Sequence, residues 1–298
     1  MTSSPSLKEY MAAKAAEVDA ALERWTPLAT VEPSTIHRAM RYSLFAGGKR
    51  IRPVLAMAAC EVLNPHAKAI ADAACTLEMI HTYSLIHDDL PALDNDDLRR
   101  GMATNHKVFG EAMAILAGDS LLTLAFQVLA SLRGVDPEIK AKLVLELATA
   151  SGTVGGMIGG QVHDIEGEGH APTPELLERI HRAKTGALLR CSVRMGAILA
   201  GGSTDEVHAM SEYGEHVGLA FQIVDDILDI EAPSEDLGKT AGKDVAQQKI
   251  TFPAVYGLAE SKNMAQRERE RAHASLMQFG ARAHWLREIA DLVVDRKS

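Results

Sequence analysis

Two acidic segments carry most of the chemistry this sequence can do: Asp88-Asp89-Leu90-Pro91-Ala92-Leu93-Asp94 and Asp225-Asp226-Ile227-Leu228-Asp229. Each follows an apolar run of helical character, Tyr83-Ser84-Leu85-Ile86 in one case and Leu219-Ala220-Phe221-Gln222-Ile223-Val224 in the other. Carboxylates this close repel one another and are costly beside apolar surface unless cations neutralise them. A calcium loop intersperses glycine and other oxygen ligands, and neither segment does so. Carboxylates paired on the walls of a helical cavity suit Mg²⁺, which takes a few protein oxygens and completes its octahedron with water and phosphate. A single acidic run reads as a solvated helix end. Two, each closing an apolar helix, point to a phosphorylated substrate gripped through metal.

In the second segment Asp225 and Asp229 stand at i and i+4 on one helix face, with Gln222 on the same side and Asp226 turned about 100° away. In the first, Pro91 disfavours helix at Leu90, so Asp94 must return through an irregular turn to join Asp88. Upstream, Gly47-Gly48-Lys49-Arg50-Ile51-Arg52-Pro53 places Lys49 and Arg52 at the amino end of a helix opened by Pro53, where free N–H groups already favour anions. This is a metal-free phosphate site. His81 lies two turns before Asp88 on the same face, as an anion ligand beside a metal carboxylate. Arg99-Arg100-Gly101 offers two diverging guanidinium groups, while Lys184-Thr185, Lys239 and Lys249 are weaker signals. Gly155-Gly156 and Gly159-Gly160 precede Gln161 and Asp164 on an expected helix, pointing to close helix packing or a narrow cavity wall. No strand precedes them, so they are not a dinucleotide loop.

Helices must position these residues. The periodicity predicts them over about 6–25, 34–45, 53–63, 67–90, 106–132, 136–150, 152–167, 174–201, 204–231, 245–260, 263–280 and 283–294, in one all-α domain spanning 1–298. The two long connections, 91–105 and 232–244, each follow an acidic motif, where mobile substrate-covering loops belong. The chain has 298 residues, 47% of them hydrophobic, and a net charge of −9, which argues against nucleic acid as a partner. Its three cysteines (Cys60, Cys75 and Cys191) form no C-x-x-C pair and read as reduced thiols of a cytoplasmic protein. The N-terminus lacks a signal-peptide core. The apolar stretch 112–132 is interrupted by Gly118, Asp119, Ser120 and Gln127, so it reads as a core helix and no stable membrane insertion is expected.

Together, G-G-K-R-x-R-P, H-x-x-x-x-x-H-D-D-x-x-x-x-D, R-R-G, K-T, F-Q-x-x-D-D-x-x-D and the later lysines resemble the trans-polyprenyl diphosphate synthases, over almost the whole chain. Within that family the segment Y-S-L-I-H-D-D-L-P-A-L-D is similar to bacterial farnesyl diphosphate synthases. The resemblance implies the all-α isoprenoid-synthase fold, helices around a deep cavity, and a homodimer. It implies that Asp88 and Asp94 bind Mg²⁺ with Asp89 in support, and that Asp225 binds a further Mg²⁺ with Asp226 and Asp229 assisting. Three ions per site are implied, with Mn²⁺ as a substitute. Lys49, Arg52, His81 and Arg100 are then ligands of isopentenyl diphosphate. Arg99, Lys184, Thr185, Gln222, Lys239 and Lys249 are ligands of an allylic diphosphate. Asn95 stands where close relatives often carry another aspartate.

The implied reaction is ionisation of the allylic C–O bond, attack of the cation on the isopentenyl double bond, and loss of a proton. Tyr83 and Ser84 lie about 6–7.5 Å deeper along the helix than Asp88. A tyrosine there reads as the stop for a growing tail, which favours the C15 product farnesyl diphosphate over geranyl or geranylgeranyl diphosphate. A terpene cyclase has no use for the basic segment from Gly47. A histidine-aspartate phosphohydrolase built on His87-Asp88 leaves the second acidic motif unexplained, and a non-catalytic synthase subunit typically loses acidic motifs that are intact here.

Overall fold

Ser6 opens the first helix with a reciprocal cap: its hydroxyl accepts from Glu9 N–H at 3.3 Å, and Glu9 accepts from Ser6 N–H at 2.8 Å. The computed structural model describes residues 5–169, 172–231 and 250–296. These group into two compact units, one from 1–57 with 68–144 and one from 58–67 with 145–298.

The first unit contains α1 (Leu7–Trp25), α2 (Ser34–Leu44), α4 (Ile70–Asp88), α5 (Asn105–Phe109) and α6 (Glu111–Ser131), while α3 (Ile51–Leu63) and α7 (Pro137–Ser151) contribute to both units. α3 starts at Ile51, two residues ahead of the expected Pro53. The helix expected over 106–132 is two helices, because Gly110 takes φ 84° and breaks the ladder. α4 is buried continuously from Ala73 to Ile80 and packs against α6, α1 and α2. α6 is long and apolar enough to cross a membrane, which corrects the expectation that its polar residues interrupt it too much. It is also not wholly a core helix: one face packs on α4, α2 and α5, and Ile115 and Leu116 stay exposed.

The expected loop over 91–105 holds a two-stranded antiparallel ladder, β1 (Leu98–Arg99) with β2 (Met102–Ala103). It is tied down on several sides. Tyr42 Oη donates to Ala103 O at 2.7 Å, Thr104 Oγ1 to Asp96 O at 2.7 Å, and Asn105 Nδ2 to Ala39 O at 2.8 Å.

The second unit contains α8 (Met157–Gly167), α9 (Pro174–His181), α10 (Ala187–Leu199), α11 (Thr204–Glu231), α12 (Phe252–Tyr256), α13 (Leu258–Ser275) and α14 (His284–Asp295). The expected continuous helix over 174–201 is interrupted by a π turn at Arg182–Gly186. Of the expected 245–260 helix, residues 245–249, like the 232–244 connection, lie outside the described residues; the rest regroups with 263–280, because Gly257 at φ 79° separates α12 from α13 and a 3₁₀ turn covers Met277–Ala283. α11 is the axis of this unit and packs against α10, α13, α14 and the π turn. Leu177, Ile223, Val224, Ile227, Ile250, Phe252 and Ala265 form one apolar cluster around its C-terminal half. All three cysteines are buried thiols outside any disulfide among the described residues.

Candidate active site

In the first unit the chain after α4 folds back on itself. Asp94 N–H donates to Asp88 O at 2.8 Å and Asp96 N–H to Asp89 O at 3.2 Å. Asp94 thus returns to Asp88, as the proline after Leu90 requires. Asn95 sits in the left-handed region at φ 49°, a conformation asparagine tolerates well. Asp89 is buried against Arg99, whose Nη2 is 2.6 Å and Nε 2.7 Å from Asp89 Oδ1. Burial lifts the Asp89 carboxyl above its ordinary range and the Arg99 guanidinium opposes that rise. Arg99 is therefore held by the acidic motif in this state, rather than extended toward a separate ligand. His87 Nε2 lies 3.0 Å from Ile115 O, wedged against α6, so it is no partner for a metal beside Asp88.

The basic residues gather on the same unit. Burial first, then Arg52, Arg100, Arg99 and Arg50, drives the His81 imidazole well below its ordinary pKa and keeps it neutral. Arg100, at φ 54°, donates to Gly47 O and lies along Gly48, where a Cβ would stand 2.9 Å from the guanidinium carbon. Gly48 leaves room for that approach. Sequence reasoning missed Arg50, which is buried and bonded to Glu78 at 2.7 Å, Asp19 at 3.0 Å and Leu44 O at 2.8 Å. It anchors the segment between Lys49 and Arg52, and its only signal was its place inside the basic motif.

In the second unit the helix face divides differently from the expectation. Asp226 and Asp229 are buried, whereas Asp225 is exposed and pairs with Arg296 at 2.5 Å. Gln222 Nε2 donates to Asp226 Oδ1 at 3.1 Å, so it joins Asp226 rather than Asp225. Phe252 N–H donates to Asp226 Oδ2 at 2.9 Å, and His181 Nε2 is 3.5 Å from the same oxygen. Burial lowers the His181 pKa to about 4, and its ring stacks on Phe252 at 5.1 Å. Lys184 in the π turn pairs with Asp164 of α8 at 2.5 Å, and Thr185 beside it is half-buried. Lys239 and Lys249 lie outside the described residues. His181 and Arg296 carried no sequence signal, since both reach the motif only through tertiary packing.

The glycines of α8 serve close packing. At Gly160 a Cβ would stand 2.5 Å from Lys184 Cα and nearer still to Lys184 N. α8 and the π turn touch backbone to backbone there. Among the described residues no three His, Cys, Asp or Glu side chains converge at ligand spacing.

Residues 33–284 match the polyprenyl synthetase family model. The chain belongs to that family. It is similar to a heterodimeric geranylgeranyl pyrophosphate synthase large subunit of Arabidopsis thaliana, 50% identical over 93% of this chain and 76% of the relative. A geranylgeranyl pyrophosphate synthase of Capsicum annuum is 49% identical over 98% of this chain and 79% of its own length. Among solved structures, an FPP/GFPP synthase from Zymomonas mobilis superposes with a TM-score of 0.85 at 37% identity, covering 97% of this chain and 98% of its own. This polyprenyl synthetase is a short-chain trans-prenyltransferase with the all-α isoprenoid-synthase fold.

Proposed function

We propose that the enzyme condenses isopentenyl diphosphate head-to-tail with allylic diphosphates and carries the chain to geranylgeranyl diphosphate. The observation that carries the reading is the return of Asp94, whose N–H donates to Asp88 O at the end of α4, in the unit where Arg52, Arg100, Arg99 and Arg50 act on a buried His81 two turns earlier on the Asp88 face. That set binds one diphosphate by direct charge and presents carboxylates for another.

The carboxylates fit Mg²⁺ by donor type and by the Asp94 return, and an ion that keeps its waters and phosphates needs only one or two protein oxygens. Asp88 and Asp94 would hold one ion in the first unit, and Asp225 a further one in the second. When bound it neutralises charge on the leaving diphosphate. The protein's own residues do the rest. Lys49, Arg52, His81 and Arg100 hold isopentenyl diphosphate; Lys184 and Thr185 are assigned to the allylic partner, with Gln222 orienting Asp226. The allylic C–O bond breaks, its electron pair leaving with diphosphate. The cation then takes the isopentenyl double bond and a proton is lost to the departed diphosphate.

The C15 product expected from the bulk of Tyr83 gives way to a C20 product. The two sequence relatives named above, 50% and 49% identical, are geranylgeranyl pyrophosphate synthases, while the solved structure at 37% identity is an FPP/GFPP synthase. Tyr83 is turned about 140° from Asp88 around α4, and its buried ring meets His87 edge-on at 5.8 Å. The small Ser84, about 40° from Asp88, holds the deeper position on that face and bonds back to His81 O at 2.9 Å. A C15 product remains the second reading, favoured by the bulk of Tyr83. Homodimerisation is part of the proposal, supported by Ile115 and Leu116 on α6 and by Ile158, Val162 and Ile165 along one exposed edge of α8. Placement in the cytoplasm is proposed from the buried free thiols.

The test is incubation of purified enzyme with Mg²⁺, labelled isopentenyl diphosphate and each of dimethylallyl, geranyl and farnesyl diphosphate, with products sized by chromatography. C20 product from all three is expected. Diphosphate release without isopentenyl diphosphate, as from a cyclase, or no incorporation with any primer, would overturn the assignment.

A further inference from the structure

Behind the π turn lies a cleft of about 380 Å³ that none of the assigned site residues line. Its rim carries three guanidinium groups, Arg179, Arg182 and Arg190, with the His163 ring beside them, against one carboxylate, Glu215. Its floor is apolar and small, with Ala183, Ala187 and Leu219 among its residues. Arg190 is occupied by Glu215 at 3.1 Å. Arg182 pairs with Glu178 one turn earlier at 2.7 Å, but both side chains are more than half exposed, and such pairs exchange readily for a better anion. Arg179 makes no ion pair among the described residues. Excess guanidinium charge at the mouth of an apolar cleft of ligand size matches an anion with several oxygens and a short apolar tail.

We propose that this cleft is a further diphosphate site, apart from the two substrate sites, in which Arg179 and Arg182 take the headgroup and any short prenyl tail lies along Ala183, Ala187 and Leu219. The choice among diphosphates rests on the function proposed above, since the reaction releases pyrophosphate and consumes prenyl diphosphates. The site is built on the far side of the element that presents Lys184. Ala183 and Gly186 line the cleft, while Lys184 between them reaches Asp164. π turns are single-turn insertions frequent at functional sites. The cleft and Lys184 share this one, so filling the cleft is expected to bias the direction of Lys184 and Thr185.

The test is calorimetric titration in EDTA, which removes metal-dependent binding, with inorganic pyrophosphate and separately with geranyl diphosphate. The background is Arg52→Ala/Arg100→Ala, which disables the basic site of the first unit. One diphosphate per chain is expected to bind, and adding Arg179→Ala/Arg182→Ala weakens it about tenfold or more with an unchanged melting temperature. Tighter binding of geranyl diphosphate assigns a prenyl ligand; equal affinities assign pyrophosphate. Absence of binding in the background, or binding indifferent to the second pair of substitutions, overturns the proposal. Wild-type turnover with the primers, read separately, tests the catalytic reading, so the two can fail independently.

Discussion

Replacing Gly160 with alanine tests how Lys184 and Thr185, proposed above for the allylic diphosphate, are held. In an exposed helix the substitution raises helix propensity and stabilises by about 0.5–1 kcal/mol. Here the new Cβ would stand 2.5 Å from Lys184 Cα and 2.8 Å from the Ala183 carbonyl carbon. Ordinary contact begins at 3.4 Å, so the shortfall at Lys184 Cα is about 0.9 Å. Both sides are backbone, and neither can yield by rotating a side chain. α8 and the π turn must separate, stretching the Lys184–Asp164 pair from its 2.5 Å. Overpacking of this kind costs about 1–3 kcal/mol, and a displacement near 1 Å at a positioning residue costs about 100-fold in turnover. Thermal melts and a pyrophosphate-release assay at saturating substrates read both effects. The sign decides the matter. A raised melting temperature with turnover within about twofold of wild type would refute the packing argument.

Asp88→Ala should lose about 1,000-fold or more in turnover with an unchanged melting temperature; near-normal rates at saturating Mg²⁺ would remove Asp88 from the metal site. Ser84→Phe should shorten the product, whereas Tyr83→Ala should leave its length unchanged. If wild type makes C15 and Tyr83→Ala makes C20, Tyr83 is the stop after all. His181 supplies a pH dependence. Its folded pKa of about 4 lies below the usual 6.5, so the unfolded chain binds the extra proton and stability falls as pH drops from about 6.5 toward 4. The full effect is about 3 kcal/mol, with Asp226, Asp164 and Lys184 as the charged neighbours. His181→Gln should flatten this arm of the melting curve; parallel curves for variant and wild type would exclude it.

Local chemistry made much of the site legible in advance. Pro91 announced the return of Asp94, whose N–H reaches Asp88 O. What stayed hidden depends on distant partners. Nothing near Asp89 signals that Arg99 will bind it, and nothing near Asp225 signals Arg296, 71 residues away. Helical spacing grouped Gln222 with Asp225 and turned Asp226 away, whereas Gln222 bonds to Asp226, which also receives Phe252 N–H. The π turn was invisible because its sequence, Arg-Ala-Lys-Thr-Gly, suits an ordinary helix, and only the contact with Gly160 shows the insertion. Breaks at Gly110 and Gly257 were missed because an isolated glycine is tolerated inside helices.

The apolar length of α6 has a bearing on how the chain is made. A 21-residue segment of this kind, leaving the ribosome bare, is a substrate for membrane-insertion machinery and for aggregation. Its shelter is already synthesised by then, since α2 and α4 both precede it in the chain. The order of elements lets α6 dock as it emerges. A circular permutant that moved α4 behind α6 would retain every native contact and still be born with its most lipid-like helix unguarded.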